Sequence, residues 1–128
     1  MTPDGTAPET RPAAPPPPPS PQQLADMTAV ARSLAAAHQE QDPLDLRYIA
    51  STRQAVLRAT TPSRPVGDAG VYVIQLEGNF RRQVRHREKT LHGTSMIIII
   101  DAETGQVTDL SISPQPFDLR GLGRAVPL

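Results

Sequence analysis

The chain has 128 residues and no cysteine, which excludes disulfides, thiolate metal sites and a cysteine nucleophile. The formal net charge is zero, but residues 1–45 carry a net −4, residues 46–94 a net +6 and residues 95–128 a net −2. The basic middle therefore either contacts an anionic partner or pairs with the acidic ends of the same chain. Tryptophan is absent and aromatic residues make up 3% of the chain, which favours an aliphatic core over base-stacking platforms.

The N-terminal segment, residues 1–19, is rich in proline and ends in the run Pro15 to Pro19. Such a segment lacks the apolar side chains needed for a core, so we expect a disordered, spacer-like tail followed by one domain over residues 20–128. It also lacks the apolar stretch of a signal peptide, which predicts a cytoplasmic protein. A start codon assigned too far downstream would hide a signal, and the protein would then be exported or membrane-anchored.

Two helices are predicted. The first spans residues 21–41, because Ser20 and Gln23 form a capping box around Pro21 and an apolar stripe follows, namely Leu24, Met27, Ala31 and Leu34. This stripe fits either against a sheet or against a second copy of the chain. The second helix spans residues 52–60, with Ala55, Val56 and Ala59 facing inward. The stretch from Leu44 to Ala50 fits both a strand and a helix, and the pattern leaves that choice open.

Three strands follow, over residues 71–78, 94–101 and 106–113. The second contains four consecutive isoleucines, Ile97 to Ile100, which have no polar face and therefore indicate a central strand covered on both sides. The segment Asp101 to Gly105 has the residues of a tight turn, which predicts an antiparallel meander. The tail, residues 114–128, has enough apolar groups to fold back over the core.

These elements predict an α+β domain, in which one or two N-terminal helices pack on a three-stranded or slightly larger antiparallel meander sheet. Two apolar sheet faces and one narrow helix stripe leave apolar surface for a partner. A homodimer that covers the second face is therefore one expectation.

The segment from Val71 to Phe80, the basic stretch after it, and the turn motif Asp101-x-x-Thr104-Gly105-x-Val107 resemble the small PepSY-like, cystatin-like domains that are common in uncharacterised actinobacterial proteins. The resemblance covers about residues 48–124. It implies a helix packed on an antiparallel sheet, and an inhibitory or envelope-associated role. Most relatives are exported or membrane-anchored, whereas this sequence shows no signal.

The densest charge lies between Arg81 and Lys89. Its five fixed cations are the candidate partner-binding residues Arg81, Arg82, Arg85, Arg87 and Lys89. A solvated, charged hairpin that discourages aggregation is the simplest interpretation. As a functional surface, the same residues would bind an acidic protein or, as the alternative, nucleic acid or another anionic surface.

Motifs for catalysis and metal binding are weak. His86, His92 and Asp101 lack the spacing of a zinc site, and Ser95 lacks the G-x-S-x-G elbow of a hydrolase. No metal and no cofactor is predicted, and the chain is not expected to be an enzyme. The sequence therefore favours a non-catalytic protein-interaction module, which binds its partner through the 81–92 loop or through an open sheet face.

Overall fold

Within the residues that the structure describes, two helices and five strands form the domain. The computed structural model describes residues 14–60, 69–83, 90–119 and 121–128. In chain order the elements are α1 (Pro21–Ala37), β1 (Leu44–Thr52), α2 (Arg53–Thr60), β2 (Gly70–Gln83), β3 (Thr90–Asp101), β4 (Val107–Ser113) and β5 (Val126–Pro127). The strands pair antiparallel in the order β4-β3-β2-β1-β5. This confirms the α+β class and the meander of the three predicted strands.

Helix α1 begins as predicted and ends early. The Ser20 hydroxyl accepts a hydrogen bond from the Gln23 amide at 3.1 Å, and the Gln23 side chain accepts one from the Ser20 amide at 2.8 Å. At the other end Gln39 adopts a left-handed φ of 71°, and the Glu40 amide donates to the Ala35 carbonyl at 2.8 Å. This Schellman arrangement stops the helix at Ala37, so the predicted extension to residue 41 is wrong.

The stretch that the sequence left open is a strand. In β1, residues Arg47 to Thr52 pair with Gln75 to Gly70 of β2, after a register shift that follows Leu44. Helix α2 then begins at Arg53, with the Thr52 hydroxyl accepting from the Ala55 amide at 3.4 Å. Val56 is fully buried as predicted, whereas Ala59 is exposed and does not face the core.

Strands β2 and β3 are longer than the predicted 71–78 and 94–101. Their pairing continues through Gln83 and Thr90, after a bulge between Glu77 and Phe80. Beyond β3, the Asp101 carboxylate accepts from the Glu103 and Thr104 amides, each at 2.9 Å. Gly105 takes a φ of 75°, which glycine adopts without a steric penalty. The predicted turn before β4 is thereby confirmed.

Each face of the sheet has its own hydrophobic core. On one face α1 covers Ile98, Ile100 and their neighbours, with Met27, Ala31 and Ala35 as its buried side chains. On the other face Val56 of α2 and Leu119 of the tail cover Ile97 and Ile99. The isoleucine strand is therefore central and covered on both sides, as predicted. Because the chain itself supplies both covers, the reason for expecting a second copy on an open sheet face no longer holds.

The two ends of the described chain also pack on the domain. The tail places Phe117, Leu119 and Leu122 on the α2 side, then passes the edge of β1, where Val126 pairs with Tyr48. At the N-terminus the Pro17 carbonyl accepts a hydrogen bond from the Tyr72 hydroxyl at 2.5 Å, and Pro19 is buried. Residues 14–19 therefore contact the domain, which differs from the predicted free tail, while residues 1–13 lie outside the described residues.

Neither helix in the described ranges combines the length and the apolar character that crossing a bilayer requires.

Candidate functional site

The paired strands β2 and β3 extend beyond their neighbours and form what we call the basic ribbon, residues 80–83 paired with residues 90–93. Strand β1 stops pairing with β2 at Glu77, and β4 stops pairing with β3 at Ser95. The ribbon therefore consists of β2 and β3 alone, whereas the rest of the sheet also contains β1 and β4. Phe80 and Gly93 at its base are buried in the domain, and its outer residues extend beyond the end of the sheet.

The ribbon carries part of the predicted site. Arg81 lies in β2 opposite His92 and is exposed, and Arg82 follows it opposite Leu91. The prediction of a loop over residues 81–92 is therefore wrong for its two ends, which are paired strand. The other three candidates, Arg85, Arg87 and Lys89, belong to the connection between β2 and β3 and lie outside the described residues.

The base of the ribbon is held by the segment that follows α1. The Arg81 amide donates to the His38 carbonyl at 2.8 Å, and the Asn79 amide donates to Oε1 of Glu40 at 2.7 Å. A Cβ atom at Gly78 would lie 2.5 Å from the same Glu40 oxygen, so glycine permits this close approach. The bulge in β2 is thus held by the carboxylate of Glu40, which lies in the segment after α1.

Two backbone hydrogen bonds stabilise the ionised form of Glu40. The Asn79 amide has the larger effect and the Asp42 amide, at 3.0 Å from Oε2, adds to it. Together they hold the pKa of Glu40 below its ordinary value. The ribbon is therefore anchored by a charge that is present at neutral pH.

The histidine of the ribbon has a structural partner. Nε2 of His92 donates to the Asn79 side-chain oxygen at 2.8 Å. His92 and Asp101 stand at opposite ends of β3, about 30 Å apart at the usual rise of a strand, and His86 lies outside the described residues. Within the described ranges no group of three or more histidine, cysteine, aspartate or glutamate side chains is placed to hold a metal ion.

The ribbon presents charge without an aromatic platform. Phe80 is the only phenylalanine, tyrosine or tryptophan between residues 73 and 116, and its side chain is fully buried in the core under α1. Stacking on nucleobases needs an exposed ring. The ribbon is consequently equipped for ionic contacts and for hydrogen bonds from arginine.

A second feature, which the sequence analysis missed, is a cleft between the α2 side of the sheet and the C-terminal tail. Its volume is ≈ 430 Å³, and its walls are Arg47, Ile49, Gln75, Pro116, Phe117, Asp118, Leu119, Gly123 and Ala125. Gln75 is 6% exposed and donates to the Phe117 carbonyl at 3.4 Å. A polar residue within the apolar run of β2 was the available signal for this cleft. Arg47 gave no such signal, because the path of the C-terminal tail determines which residues lie opposite Arg47.

The two features differ in chemistry. The ribbon offers fixed cations on a projecting element, which suits a large partner, whereas the cleft offers one arginine among apolar walls, which suits a small group. No protein-family model matches the chain, and neither a search of curated proteins nor a search of solved structures finds a match.

Proposed function

We propose that this protein is a non-catalytic interaction module that binds an acidic surface of another protein. The contact residues are Arg81 and Arg82 of the basic ribbon, together with Arg85, Arg87 and Lys89 of the connection beyond it. The observation that carries the proposal is the continuation of β2 and β3 past the last residues paired with β1 and β4. Arg81 is exposed in this continuation, and Arg82 follows it in the paired strand, which supports a role for the basic sequence in binding.

The chemistry of arginine supports a protein partner. A guanidinium forms paired hydrogen bonds with a carboxylate, which adds geometric specificity to the attraction between the charges. Within the described residues α1 covers one face of the sheet, and α2 with the tail covers the other. This favours the ribbon over an open sheet face as the surface that binds a large partner.

Nucleic acid is the alternative partner, and one observation favours it. A two-stranded β ribbon fits the major groove of B-form DNA, where arginine can pair with guanine. Two observations weigh against it. The whole chain has a formal net charge of zero, and the aromatic ring nearest to the cations, that of Phe80, is fully buried. We therefore keep the acidic protein as the proposed partner.

Membership of the PepSY-like domains, with an inhibitory or envelope-associated role, stays a proposal as well. What supports it is the order of elements, in which helices precede an antiparallel meander, and the turn from Asp101 to Gly105. An inhibitory role would use the same ribbon, since a projecting basic hairpin can enter an acidic cleft of a partner.

Fluorescence anisotropy with defined probes tests the proposal. The probes are a labelled peptide rich in glutamate, a 20-base-pair DNA duplex and a single-stranded RNA, each titrated at ~100 mM salt and at lower salt. The variant replaces Arg81, Arg85 and Arg87 with glutamate. The matched control replaces three exposed arginines elsewhere with glutamate, namely Arg32, Arg58 and Arg124.

We expect the peptide to bind the wild type, and the ribbon variant to lose this binding at least tenfold while the control retains it to within a factor of about three. Binding to duplex and RNA should be absent at ~100 mM salt. Tight nucleic-acid binding that falls steeply with salt, lost in the ribbon variant alone, would replace the proposal with its alternative. Equal losses in both variants would show that net charge, rather than the ribbon, governs binding.

A further inference from the structure

The cleft under the C-terminal tail contains a cation without a described counter-ion. Arg47 lies in β1 opposite Gln75 of β2 and, on its other side, opposite Pro127 of β5. Among the described residues, the ion pair joins Arg53 to Asp109 at 3.3 Å, and Arg47 takes no part in it. Arg47 therefore lines the cleft, and its guanidinium has no hydrogen-bond partner among the described residues.

One donor of this guanidinium is especially informative. Nε of Arg47 is buried and has no hydrogen-bond partner among the described residues. A buried donor that lacks a partner costs stability, and the cost is larger for a charged group. Because Nε itself has almost no accessible surface, an acceptor from outside the protein would bind the terminal nitrogens of the same guanidinium, in a residue that lines a cleft of ≈ 430 Å³.

The rest of the cleft is firm and mostly apolar. Ile49 is 3% exposed and Leu119 is 5% exposed, so both walls are packed into the core on the α2 side. A Cβ atom at Gly123 would lie 3.1 Å from the Ala50 carbonyl, which shows how closely the tail approaches β1. Gln75 is already oriented by its hydrogen bond to the Phe117 carbonyl. The cleft thus combines the hydrogen-bond donors of Arg47 with walls that are mostly apolar.

We propose that this cleft binds a small monocarboxylate with an aliphatic or aromatic body. The carboxylate accepts two parallel hydrogen bonds from the two terminal nitrogens of Arg47, in the paired geometry that guanidinium and carboxylate share. The apolar body packs against Ile49 and Leu119. A free organic acid and the C-terminal carboxylate of a peptide share this chemistry.

The charge of the cleft favours a ligand that carries one negative charge. Among the described residues that line the cleft, Arg47 is the one cation. A doubly charged phosphate would leave one charge unmatched, whereas a monocarboxylate is matched by the arginine alone. Burial of the apolar body then adds to the affinity. This site is separate from the basic ribbon and does not depend on the function proposed for the ribbon.

Nuclear magnetic resonance on the full chain tests the site directly. The ¹⁵N-labelled protein is titrated with benzoate, and in parallel with benzamide, which has the same shape and no charge. We expect a saturable shift of the Arg47 Nε–H resonance with benzoate and at least a tenfold weaker response with benzamide. No saturable shift up to 50 mM benzoate, or equal responses to both compounds, would overturn the proposal.

Substitutions of Arg47 provide the second readout. Arg47→Lys keeps the charge and removes the paired donors, so benzoate affinity should fall at least tenfold. The control, Arg53→Lys, changes an arginine of the same face that is paired with Asp109, and it should leave benzoate affinity unchanged. Unchanged affinity in Arg47→Lys would overturn the proposal. If Arg47→Lys does not fold, the comparison of benzoate with benzamide on the wild type still decides.

Three further probes identify the source of the carboxylate. A short apolar peptide with a free C-terminus and its C-terminally amidated form are titrated alongside hexanoate. Preference for the free peptide over both the amide and hexanoate identifies a protein C-terminus as the ligand, and preference for hexanoate identifies a free acid. Equal binding of the free and amidated peptides, without binding of hexanoate, would contradict recognition of a carboxylate.

Discussion

At the residue scale, a few side chains and backbone conformations decide where the elements begin and end. Ser20 and Gln23 lie three residues apart in the sequence, so the start of α1 could be predicted from the chain alone. The end of α1 could not, because the left-handed residue is Gln39 rather than a glycine that would have signalled it. A residue that occupies an unfavourable conformation also offers a direct test.

Gln39→Gly should stabilise the protein by about 1 kcal/mol, because glycine adopts the φ of 71° without the steric cost that glutamine bears. Ala29→Gly, at an exposed position within α1, should instead destabilise it by about 1 kcal/mol. Urea unfolding of both variants measures the difference. A loss of stability in Gln39→Gly comparable with that in Ala29→Gly would contradict the Schellman end at Ala37.

Tyr72 links the N-terminal segment to the sheet. Its hydroxyl donates a hydrogen bond to the Pro17 carbonyl. Burial raises the pKa of Tyr72 above its ordinary value, and the nearby Tyr48 makes a smaller contribution in the same direction. Tyr72→Phe should therefore lower the free energy of unfolding by about 1 kcal/mol. Tyr48→Phe is the matched control, since its hydroxyl makes no hydrogen bond within the described residues, and it should have little effect. Equal stability of both variants would mean that residues 14–19 are a free spacer.

At the element scale, the pattern of the sequence predicted the central strands and missed the edges. The run Ile97 to Ile100 has no polar face, so its position between β2 and β4 follows from its residues alone. Strand β1 alternates and also fits a helix, and only its pairing with β2 resolves the choice. Strand β5 is the pair Val126–Pro127, too short for any periodic signal. Long-range pairing therefore supplied what local pattern lacked.

Ile97→Asp and Ile98→Asp should both be severely destabilising, by about 3 kcal/mol or more, because each places an unpaired charge in a different buried core. Ser111→Asp, an exposed change on the neighbouring β4, should cost less than about 1 kcal/mol. Chemical denaturation of the three variants measures this. Tolerance of Ile97→Asp would show that α2 and the tail do not cover their face.

The anchor of the basic ribbon should depend on pH. The pKa of Glu40 is lower in the folded protein than its ordinary value of 4.5, so its contribution is complete above that value and is lost as pH falls through the lower folded pKa. The Asn79 amide proton should therefore shift with a midpoint below 4.5. Glu40→Gln should abolish this titration, and Glu103→Gln, at an exposed turn position, should preserve it. A midpoint at or above 4.5 would contradict the anchor.

At the scale of the whole molecule, the described chain covers both faces of its own sheet. The segregated charge predicted a basic surface, and the described strands place its first residues, Arg81 and Arg82, on a projecting ribbon. The sequence could not reveal the cleft at Arg47, because its walls come from β1, β2 and the tail, which are far apart in the chain. Sites built from one segment were thus predictable, and sites built from several were not.

Chemical-shift mapping of the ¹⁵N-labelled protein with a glutamate-rich peptide tests the central claim most directly. The proposed interaction module should show saturable shifts confined to residues 79–93, with the amides of the cleft and of the core residues outside that range unchanged. Addition of a DNA duplex at ~100 mM salt should leave the spectrum as it was. Shifts spread over the sheet and helices, or a response of the ribbon to DNA and not to the peptide, would contradict the account.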